Sequence, residues 1–250
     1  MSAAAAKRVL ILGATSAIAQ ETSREFAAAK ARLFLVARDA EKLRAVAEDL
    51  KVRGASAVET CACDLTDTAA HPAILSEASA VWDGLDVALI AYGTLPDQKV
   101  CEEDPAALRL AMETNFLSVV SLLAQLANIL EKQPGSVLAV VGSVAGDRGR
   151  RSNYAYGSAK AAIETFAAGL RLRLAAAGVR VVVIKPGWVD TPMTSHLPKN
   201  ALYASARSVG HGIYKAILSP RAVVYLPWFW RWIMLAIRMI PEPIFARLNL

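Results

Sequence analysis

Cysteine and histidine are scarce in this sequence of 250 residues, which has three of each. Neither set shows a spacing typical of a metal site, and so few cysteines exclude a disulfide-rich fold and favour a reducing compartment. We therefore predict no metal site and interpret the histidines as structural or solvated. The residues concerned are Cys61, Cys63, Cys101, His71, His196 and His211.

A strong net charge and a long N-terminal apolar run are also lacking. Lysine and arginine total 28 against 22 acidic residues, and the excess is not gathered in the basic stripe that nucleic-acid binding needs. The apolar run at residues 9–12 is too short for a signal-peptide core, so we expect a cytoplasmic protein with no nucleic-acid partner. Apolar residues, in contrast, make up 55% of the chain, which excludes disorder and predicts a sizeable core.

Short apolar runs alternate with longer alanine-rich amphipathic stretches. The runs are continuous rather than alternating, which is typical of strands buried on both faces of a parallel sheet. This pattern predicts a single Rossmann-type α/β domain, a doubly wound parallel sheet with helices on both faces, over residues 1–250, with 222–250 as an apolar C-terminal extension. Predicted strands cover 9–12, 32–36, 57–61, 87–90, 137–141, 179–184 and 222–226; predicted helices cover 16–29, 40–53, 68–80, 105–132, 153–177 and 200–217.

A glycine turn follows the first predicted strand. Gly13 permits a tight turn, and the small residues Ala17 and Ala19 let the backbone approach a pyrophosphate at the positive end of a helix. Two expected glycines are alanines here, so the motif alone is equally compatible with a closely packed helix entry. Its position favours a nucleotide, because the first βα turn of a doubly wound sheet binds dinucleotide phosphates. The predicted cofactor contacts in this turn are Gly13, Thr15, Ser16, Ala17 and Ile18.

The end of the second predicted strand bears on the choice of cofactor. An acidic residue at the strand tip would hold the ribose of NAD, whereas arginine favours a 2′-phosphate. Here Arg38 follows Ala37, which favours NADP(H) over NAD(H); the alternative is a solvated Arg38 beside Asp39 as a helix N-cap. Asp64 and Leu65, after the third strand, are predicted to contact the adenine, although Asp64 is equally suited to capping a helix.

Tyr156 and Lys160 are four residues apart in a predicted helix, so both side chains lie on one face. An ammonium beside a phenol lowers a pKa of about 10, which makes tyrosine a usable proton donor to a carbonyl oxygen that receives hydride. Tyr154 is excluded from this role because the residue four positions later is serine. Ser143, at the end of a predicted strand, is placed to polarise the same oxygen. Such a pair alone is more often an ordinary helix surface, but with Ser143 and the nucleotide turn we interpret it as a proton-transfer site.

Together these residues resemble the short-chain dehydrogenase/reductase family, in its smaller single-domain branch, over nearly the whole chain. The resemblance implies an enzyme that uses NAD(P)H to reduce a ketone to a secondary alcohol, and a homodimer or homotetramer paired through the long helices. It adds Asn115 to the catalytic set of Ser143, Tyr156 and Lys160, where it would hold a helix distortion and a proton-relaying water. It also implies nicotinamide-side contacts from Ala91, Gly93, Pro186, Gly187, Val189 and Thr191. The sequence departs from the family at Tyr92, which stands between the first two of these.

Three further segments, 91–93, 146–151 and 241–248, resemble the decaprenylphosphoryl keto-pentose reductases of this family. That resemblance implies a keto-sugar carried on a polyprenyl phosphate. Arg148, Arg150 and Arg151 are expected near the mouth of the substrate site, where guanidinium groups suit phosphate, or else in a solvated loop. Two alternatives remain open: a soluble ketoreductase for an acyl, steroid-like or xenobiotic ketone, and a non-catalytic nucleotide-sensing protein, which the intact proton-transfer residues disfavour.

Residues 228–240 form a predicted helix that is apolar apart from Arg231 and Arg238, which are seven positions apart and make one narrow stripe. Tryptophans at its start and arginines on one stripe suit the interface of the inner membrane. The alternatives are that the helix packs over its own substrate pocket or against a sister subunit.

Overall fold

The computed structural model describes residues 6–248, and its centre is a sheet of seven parallel strands. The strands are β1 (Arg8–Leu12), β2 (Arg32–Ala37), β3 (Ala57–Ala62), β4 (Val87–Ile90), β5 (Val137–Val141), β6 (Arg180–Pro186) and β9 (Val223–Leu226), in the spatial order β3-β2-β1-β4-β5-β6-β9. Two short strands, β7 (Val189–Asp190) and β8 (Ala204–Ser205), pair separately. The strand order reverses between β1 and β4, and a crevice at the carboxyl ends of the strands is expected at such a point.

Helices cover both faces of the sheet, as the continuous apolar strands predict. The helices are α1 (Ala17–Ala28), α2 (Ala40–Val52), α3 (His71–Ala80), α4 (Gln98–Glu103), α5 (Pro105–Met112), α6 (Ser118–Leu130), α7 (Tyr154–Ala175), α8 (Ala206–Leu218), α9 (Trp230–Met239) and α10 (Glu242–Phe245). In β1, Val9 and Ile11 pack in one core cluster with α1, α2 and α8, while Leu10 and Leu12 pack in a second cluster with α3, α6 and α7. The doubly wound Rossmann-type fold predicted from the sequence is therefore confirmed.

Two predicted helix boundaries are wrong for local reasons. The predicted helix 105–132 is interrupted by a π-helical turn at Glu113–Leu117, and Asn115 is the buried residue of that turn. The predicted helix 200–217 begins at Ala206, because Ala204–Ser205 pair with β7 and the Ser205 hydroxyl caps α8 by accepting from the amide of Ser208 at 3.1 Å. The stretch Pro105–Leu130 is long and apolar enough to cross a membrane by those criteria alone, yet its inner face packs in the core as in a soluble helix.

Candidate active site

A cavity of about 340 Å³ opens at the carboxyl ends of the strands around the point where the strand order reverses. It gathers residues from five separate predicted segments. Those of the predicted set that line it are Thr15, Ser16, Ala17, Ile18, Ala91, Gly93, Ser143, Tyr156, Lys160, Pro186, Gly187, Val189 and Thr191. Gly13, Arg38, Asp64, Leu65 and Asn115 do not line it. The sequence interpretation missed Leu95, Asn153, Met193 and Leu197, which also line the cavity and carry no pattern that marks a site.

The glycine turn lies beneath the cavity and leads into α1. Gly13 has a φ of +89°, and a Cβ at this position would approach the Cβ of Tyr92 to 2.6 Å, so glycine is required. Ser16 caps α1 by accepting from the amide of Ala19 at 3.2 Å, and its hydroxyl donates to the carbonyl of Ala91 at 2.9 Å. The first turn of a helix leaves amide donors unpaired at the positive end of the helix dipole. This cradle therefore fits the pyrophosphate of a dinucleotide, even with alanines at two of the family's glycine positions.

Arg38 and Asp64 lie beyond the cavity, at the ends of β2 and β3. Their side chains form an exposed ion pair at 3.7 Å, in which Arg38 is 71% exposed. Asp64 also accepts from the amide and hydroxyl of Thr66, and these hydrogen bonds hold its pKa below the usual range. Asp39 caps α2 through the amide of Lys42. Arg38 thus presents a loosely held cation at the tip of β2, whereas the Leu65 side chain is buried in the core.

Tyr156 and Lys160 project from the first turns of α7 into the floor of the cavity. Burial raises the pKa of Tyr156 to about 12, and the neighbouring Ser143 hydroxyl opposes this rise. The Lys160 ammonium lies over the Tyr156 ring, 5.6 Å from its centre, and donates to the carbonyl of Val141 at 3.0 Å. Ser143 is therefore the group that counters the rise in the pKa of the phenol, and the pKa-lowering effect that the sequence interpretation assigned to Lys160 stays a prediction.

Lys160 is almost entirely buried, and burial lowers its pKa to about 8, although the negative charge of Glu164 raises it again in part. The amine is therefore charged at neutral pH and loses its charge under mildly alkaline conditions. Ser143, at the end of β5, also accepts from the amide of Ala145 at 3.1 Å, which holds its side chain at the cavity wall.

Asn115 lies behind this group in the π-helical turn. Its side chain accepts from the amide of Thr94 at 2.9 Å and donates to the carbonyl of Ala111 at 3.0 Å. A Cβ at Gly93 would come within 2.6 Å of the Asn115 Oδ1 and 3.6 Å of the Lys160 Nζ. Asn115 therefore lies next to the Lys160 side of the cavity, separated from it by the backbone at Gly93.

Tyr92, the departure from the family pattern, lines the cavity and packs in the core. Its hydroxyl shares a hydrogen bond of 2.8 Å with Ser118, and burial raises its pKa. Together with Gly13, it fixes the distance between the glycine turn and the end of β4.

The C-terminal segment packs behind one wall of the site. Trp230 and Met234 of α9 are buried against Val144 and Trp188, two residues that line the cavity, and the ring centres of Trp188 and Trp230 are 5.5 Å apart. This face of the helix therefore supports the cavity wall from outside. The opposite face is exposed and carries the two arginines of the stripe and large apolar side chains; its members are Trp228, Arg231, Trp232, Leu235, Arg238 and Met239.

The three arginines expected at the mouth of the site have different roles, which corrects that prediction for two of them. Arg148 donates to the carbonyls of Ile237 and Ile240 and pairs with Glu242 at 2.8 Å, and Arg151 donates to the carbonyl of Ala246. These two arginines hold the C-terminal segment because the last carbonyls of a helix lack partners of their own. Arg150 alone lines the cavity.

A buried ionic cluster under the site was not predicted. Lys185 of β6 donates to the carboxylates of Asp147 and Glu164, and the Tyr225 hydroxyl donates to Asp147 at 3.0 Å. The sequence signal for this cluster is Lys185, which stands between the apolar run 181–184 and Pro186. A charged residue within a buried strand needs a partner. His71 is also buried, between the Ser121 hydroxyl and the Leu65 carbonyl, at 3.0 Å from each.

Comparison with known proteins identifies the family and the fold. The short chain dehydrogenase family profile matches residues 7–202. An uncharacterized oxidoreductase of Mycobacterium tuberculosis is 36% identical over 240 residues, which cover 96% of each chain. Among solved structures, a short chain dehydrogenase of Burkholderia cenocepacia in complex with NADP covers 98% of both chains with a TM-score of 0.82 at 20% identity. A variant of actinorhodin polyketide ketoreductase with NADPH has a TM-score of 0.78 at 21% identity and covers 90% of this chain and 97% of its own.

The glycine turn, the strand order and the family profile agree, and the curated relative matches along almost the full length of both chains. The protein belongs to the short-chain dehydrogenase/reductase family of oxidoreductases.

Proposed function

We propose that this enzyme reduces a ketone to a secondary alcohol at the cavity floor, with Tyr156 as the proton donor. The observation that carries the proposal is the arrangement of Ser143, Tyr156 and Lys160 in one cavity with the glycine turn of α1. Bound NADPH would supply a hydride to the carbonyl carbon. The glycine turn and the residues after β4 and β6 would hold the dinucleotide beside these groups.

The protein's own groups would donate the proton, orient the carbonyl and stabilise the developing charge. With its pKa raised to about 12, the Tyr156 phenol is protonated at neutral pH, as a proton donor must be. Ser143, whose hydroxyl lowers the pKa of the same phenol, would orient the carbonyl oxygen. The Lys160 ammonium stabilises the negative charge that develops on the tyrosine oxygen as the proton leaves. Asn115 and the π-helical turn support the backbone at Gly93 beside Lys160.

Tyr156→Phe tests this assignment because it removes the hydroxyl and keeps the ring. We expect turnover of carbonyl substrates to fall by about 10²–10⁴-fold, the usual contribution of a general acid, while NADPH affinity changes little. Tyr154→Phe is the matched control, since Tyr154 is 46% exposed and its hydroxyl bonds Glu102 outside the cavity. Retained turnover in Tyr156→Phe refutes the assignment; if the wild-type enzyme binds NADPH but turns over no carbonyl compound, the nucleotide-sensing alternative is favoured.

The proposed cofactor is NADP(H) in preference to NAD(H). Among the described residues, the exposed guanidinium of Arg38 is held only by a 3.7 Å pair with Asp64, so it is available for a 2′-phosphate. We expect the wild type to bind NADPH at least about tenfold more tightly than NADH, and Arg38→Asp to abolish or reverse that preference. Arg44→Asp, on the exposed side of α2, is the control with the same charge change. Equal affinities for both nucleotides in the wild type would refute the preference.

The proposed substrate is a keto-sugar on a polyprenyl phosphate, as in the decaprenylphosphoryl keto-pentose reductases, and it is taken from the cytoplasmic surface of a membrane. The exposed face of α9 supports this proposal, because it combines Trp228, Trp232 and Met239, which are 71%, 58% and 75% exposed, with two arginines. Tryptophans suit the depth of the lipid headgroups, and arginines complement anionic lipids. The buried face of the same helix packs behind two cavity-lining residues, Val144 and Trp188, so docking would bring the site close to the lipid surface.

Flotation with phosphatidylglycerol vesicles tests the membrane proposal. We expect the full chain to float with these vesicles and much less with phosphatidylcholine, and the double variant Trp232→Ser, Met239→Ser to stay in solution. Val52→Ser, which alters a side chain 87% exposed on α2, is the control. If the folded wild type remains in solution with both lipids, the soluble ketoreductase is the better description.

The proposed assembly is a homodimer or homotetramer. Leu108, Leu110 and Leu117 near the π-helical turn and Leu172 on α7 are between 39% and 82% exposed, which supports pairing through these helices. Light scattering of the purified protein tests this proposal, and a monomer at micromolar concentration would refute it.

A further inference from the structure

Arg150 is a cation of the cavity wall that makes no ion pair within 4 Å among residues 6–248, although the charge of Asp147 acts on it from farther away. In the same part of the chain its buried Nε makes no hydrogen bond, and its Nη2 has the Sδ of Met234, at 3.5 Å, as its one hydrogen-bond partner. A thioether is a weak acceptor, so most of the hydrogen-bonding capacity of this guanidinium is unused. Burial lowers the pKa of Arg150, which is consistent with a charge held away from water. Its neighbour Arg148, in contrast, is fully engaged by two carbonyls and Glu242.

Asn153 presents a second unused group in the same cavity. Its Oδ1 is buried and has no partner in the described part of the chain. The backbone N–H of Asn153 donates to the backbone carbonyl of Arg150 at 3.2 Å. One tight turn therefore carries both side chains, which line the cavity. This turn leads directly into α7, a helix of 22 residues whose positive end favours a nearby negative charge.

Leaving buried polar groups unpaired is costly, so their presence in a cavity indicates a ligand that pairs with them. The cavity wall also includes the apolar side chains of Leu95, Trp188 and Leu197. A guanidinium suits the oxygens of a phosphate or a comparable oxyanion, and an amide oxygen accepts from a hydroxyl.

We infer that Arg150 and Asn153 form an oxyanion subsite of the substrate cavity, which selects ketones that carry a phosphate group and a hydroxyl group near it. This inference rests on the proposed function, since it assigns the substrate class of the same site. Arg150 is then a specificity-determining residue: it binds the substrate at a distance from the carbonyl, which Ser143 and Tyr156 receive.

A panel of matched ketones tests the subsite. The panel contains methyl ketones with one, two or three methylene groups between the carbonyl and a terminal hydroxyl, together with the phosphate monoester of each. The readout is the ratio of kcat/KM for the phosphate ester to kcat/KM for its alcohol, followed by NADPH oxidation. We expect a ratio of at least tenfold for the best chain length in the wild type, a ratio near one in Arg150→Met and an intermediate ratio in Arg150→Lys.

Arg148→Met is the matched control, because it removes a neighbouring arginine that holds the C-terminal segment and does not line the cavity. It should keep the wild-type ratio. A wild-type ratio near one at every chain length, or the same high ratio in Arg150→Met, overturns the inference while leaving ketone reduction in place.

A binding measurement separates failure of the subsite from failure of the proposed function. With saturating NADP⁺ present to fill the nucleotide site, we expect inorganic phosphate to raise the melting temperature of the wild type and not that of Arg150→Met. If no ketone is reduced but phosphate still binds through Arg150, the subsite stands and the proposed function fails. If phosphate stabilises both proteins equally, the subsite assignment is wrong.

Discussion

The buried cluster around Lys185 gives the strongest stability prediction. The Lys185 side chain is 4% exposed and lies between Asp147, which is 3% exposed, and Glu164, whose Oε2 is 2.6 Å away. These two carboxylates hold the pKa of Lys185 above its usual range, so the ammonium is charged at neutral pH despite its burial. Lys185→Met removes this charge and leaves two carboxylates facing each other in the interior.

The expected cost of Lys185→Met is about 3–5 kcal/mol of unfolding free energy, because breaking a buried ion pair leaves uncompensated buried charge. With a urea m-value of about 2–3 kcal/mol/M, the unfolding midpoint should fall by about 1–2 M. Lys199→Met is the control: its pair with Asp190 is 50% exposed on both sides, so we expect a loss below about 1 kcal/mol.

The pH dependence of this loss checks its cause. Burial already raises the pKa of Glu164 with Lys185 present, and removing the ammonium raises it further. A carboxylate whose pKa is raised by folding takes up a proton in the folded state first, so folding gains stability as the pH falls toward that raised pKa. The deficit of Lys185→Met should therefore shrink between about pH 7 and about pH 5. A deficit below about 1 kcal/mol at pH 7, or one that is equal at both pH values, would refute the ion-pair explanation.

Three further predictions concern the site. Gly187→Ala should reduce turnover and loosen the C-terminal segment, because a Cβ at this position would overlap the Trp230 indole. Limited proteolysis should cleave the variant faster than the wild type, and equal cleavage would contradict this prediction. The kcat/KM for reduction should fall as the pH rises through about 8, where Lys160 loses its charge. Because the Glu164 charge raises the pKa of Lys160, Glu164→Gln should move this decline to lower pH. A pH profile that is the same in the variant and the wild type would contradict the coupling. Ser16→Ala should lower stability by about 1 kcal/mol in chemical denaturation, since it removes the cap of α1, and an unchanged midpoint would contradict this role.

The sequence predicts the strands well and selects Ser143, Tyr156 and Lys160, which the structure brings into one cavity, because both predictions depend on local patterns. In β1, Val9 to Leu12 form a continuous apolar run because alternate residues face different helical layers and all of them are buried. The sequence pattern therefore indicates a strand covered on both faces. Tyr156 and Lys160 share a helix face through their spacing alone. Asn115 has no comparable local pattern: a π-helical turn places it behind the cavity, and the apolar periodicity of 105–132 does not reveal that turn.

Long-range contacts mark the limit of the sequence interpretation. Arg148, Arg150 and Arg151 are near neighbours of the same type, yet two of them bind carbonyls almost a hundred residues away and one lines the cavity. Nothing in their spacing distinguishes them, because the difference arises from where the C-terminal segment crosses the loop. The predicted start of α8 at residue 200 is wrong for the same reason, since Ala204–Ser205 pair with β7 and do not continue the helix.

Transfer of deuterium from NADPH labelled at C4 of the nicotinamide tests the central claim most directly. With a reducible ketone, the wild-type enzyme should place deuterium on the carbinol carbon of the product, and Tyr156→Phe should form almost no labelled alcohol although it binds the labelled nucleotide equally well. If NADPH is consumed without deuterium appearing on that carbon, or if Tyr156→Phe labels the alcohol at the wild-type rate, the site does not work by proton donation from Tyr156 to a hydride-accepting carbonyl.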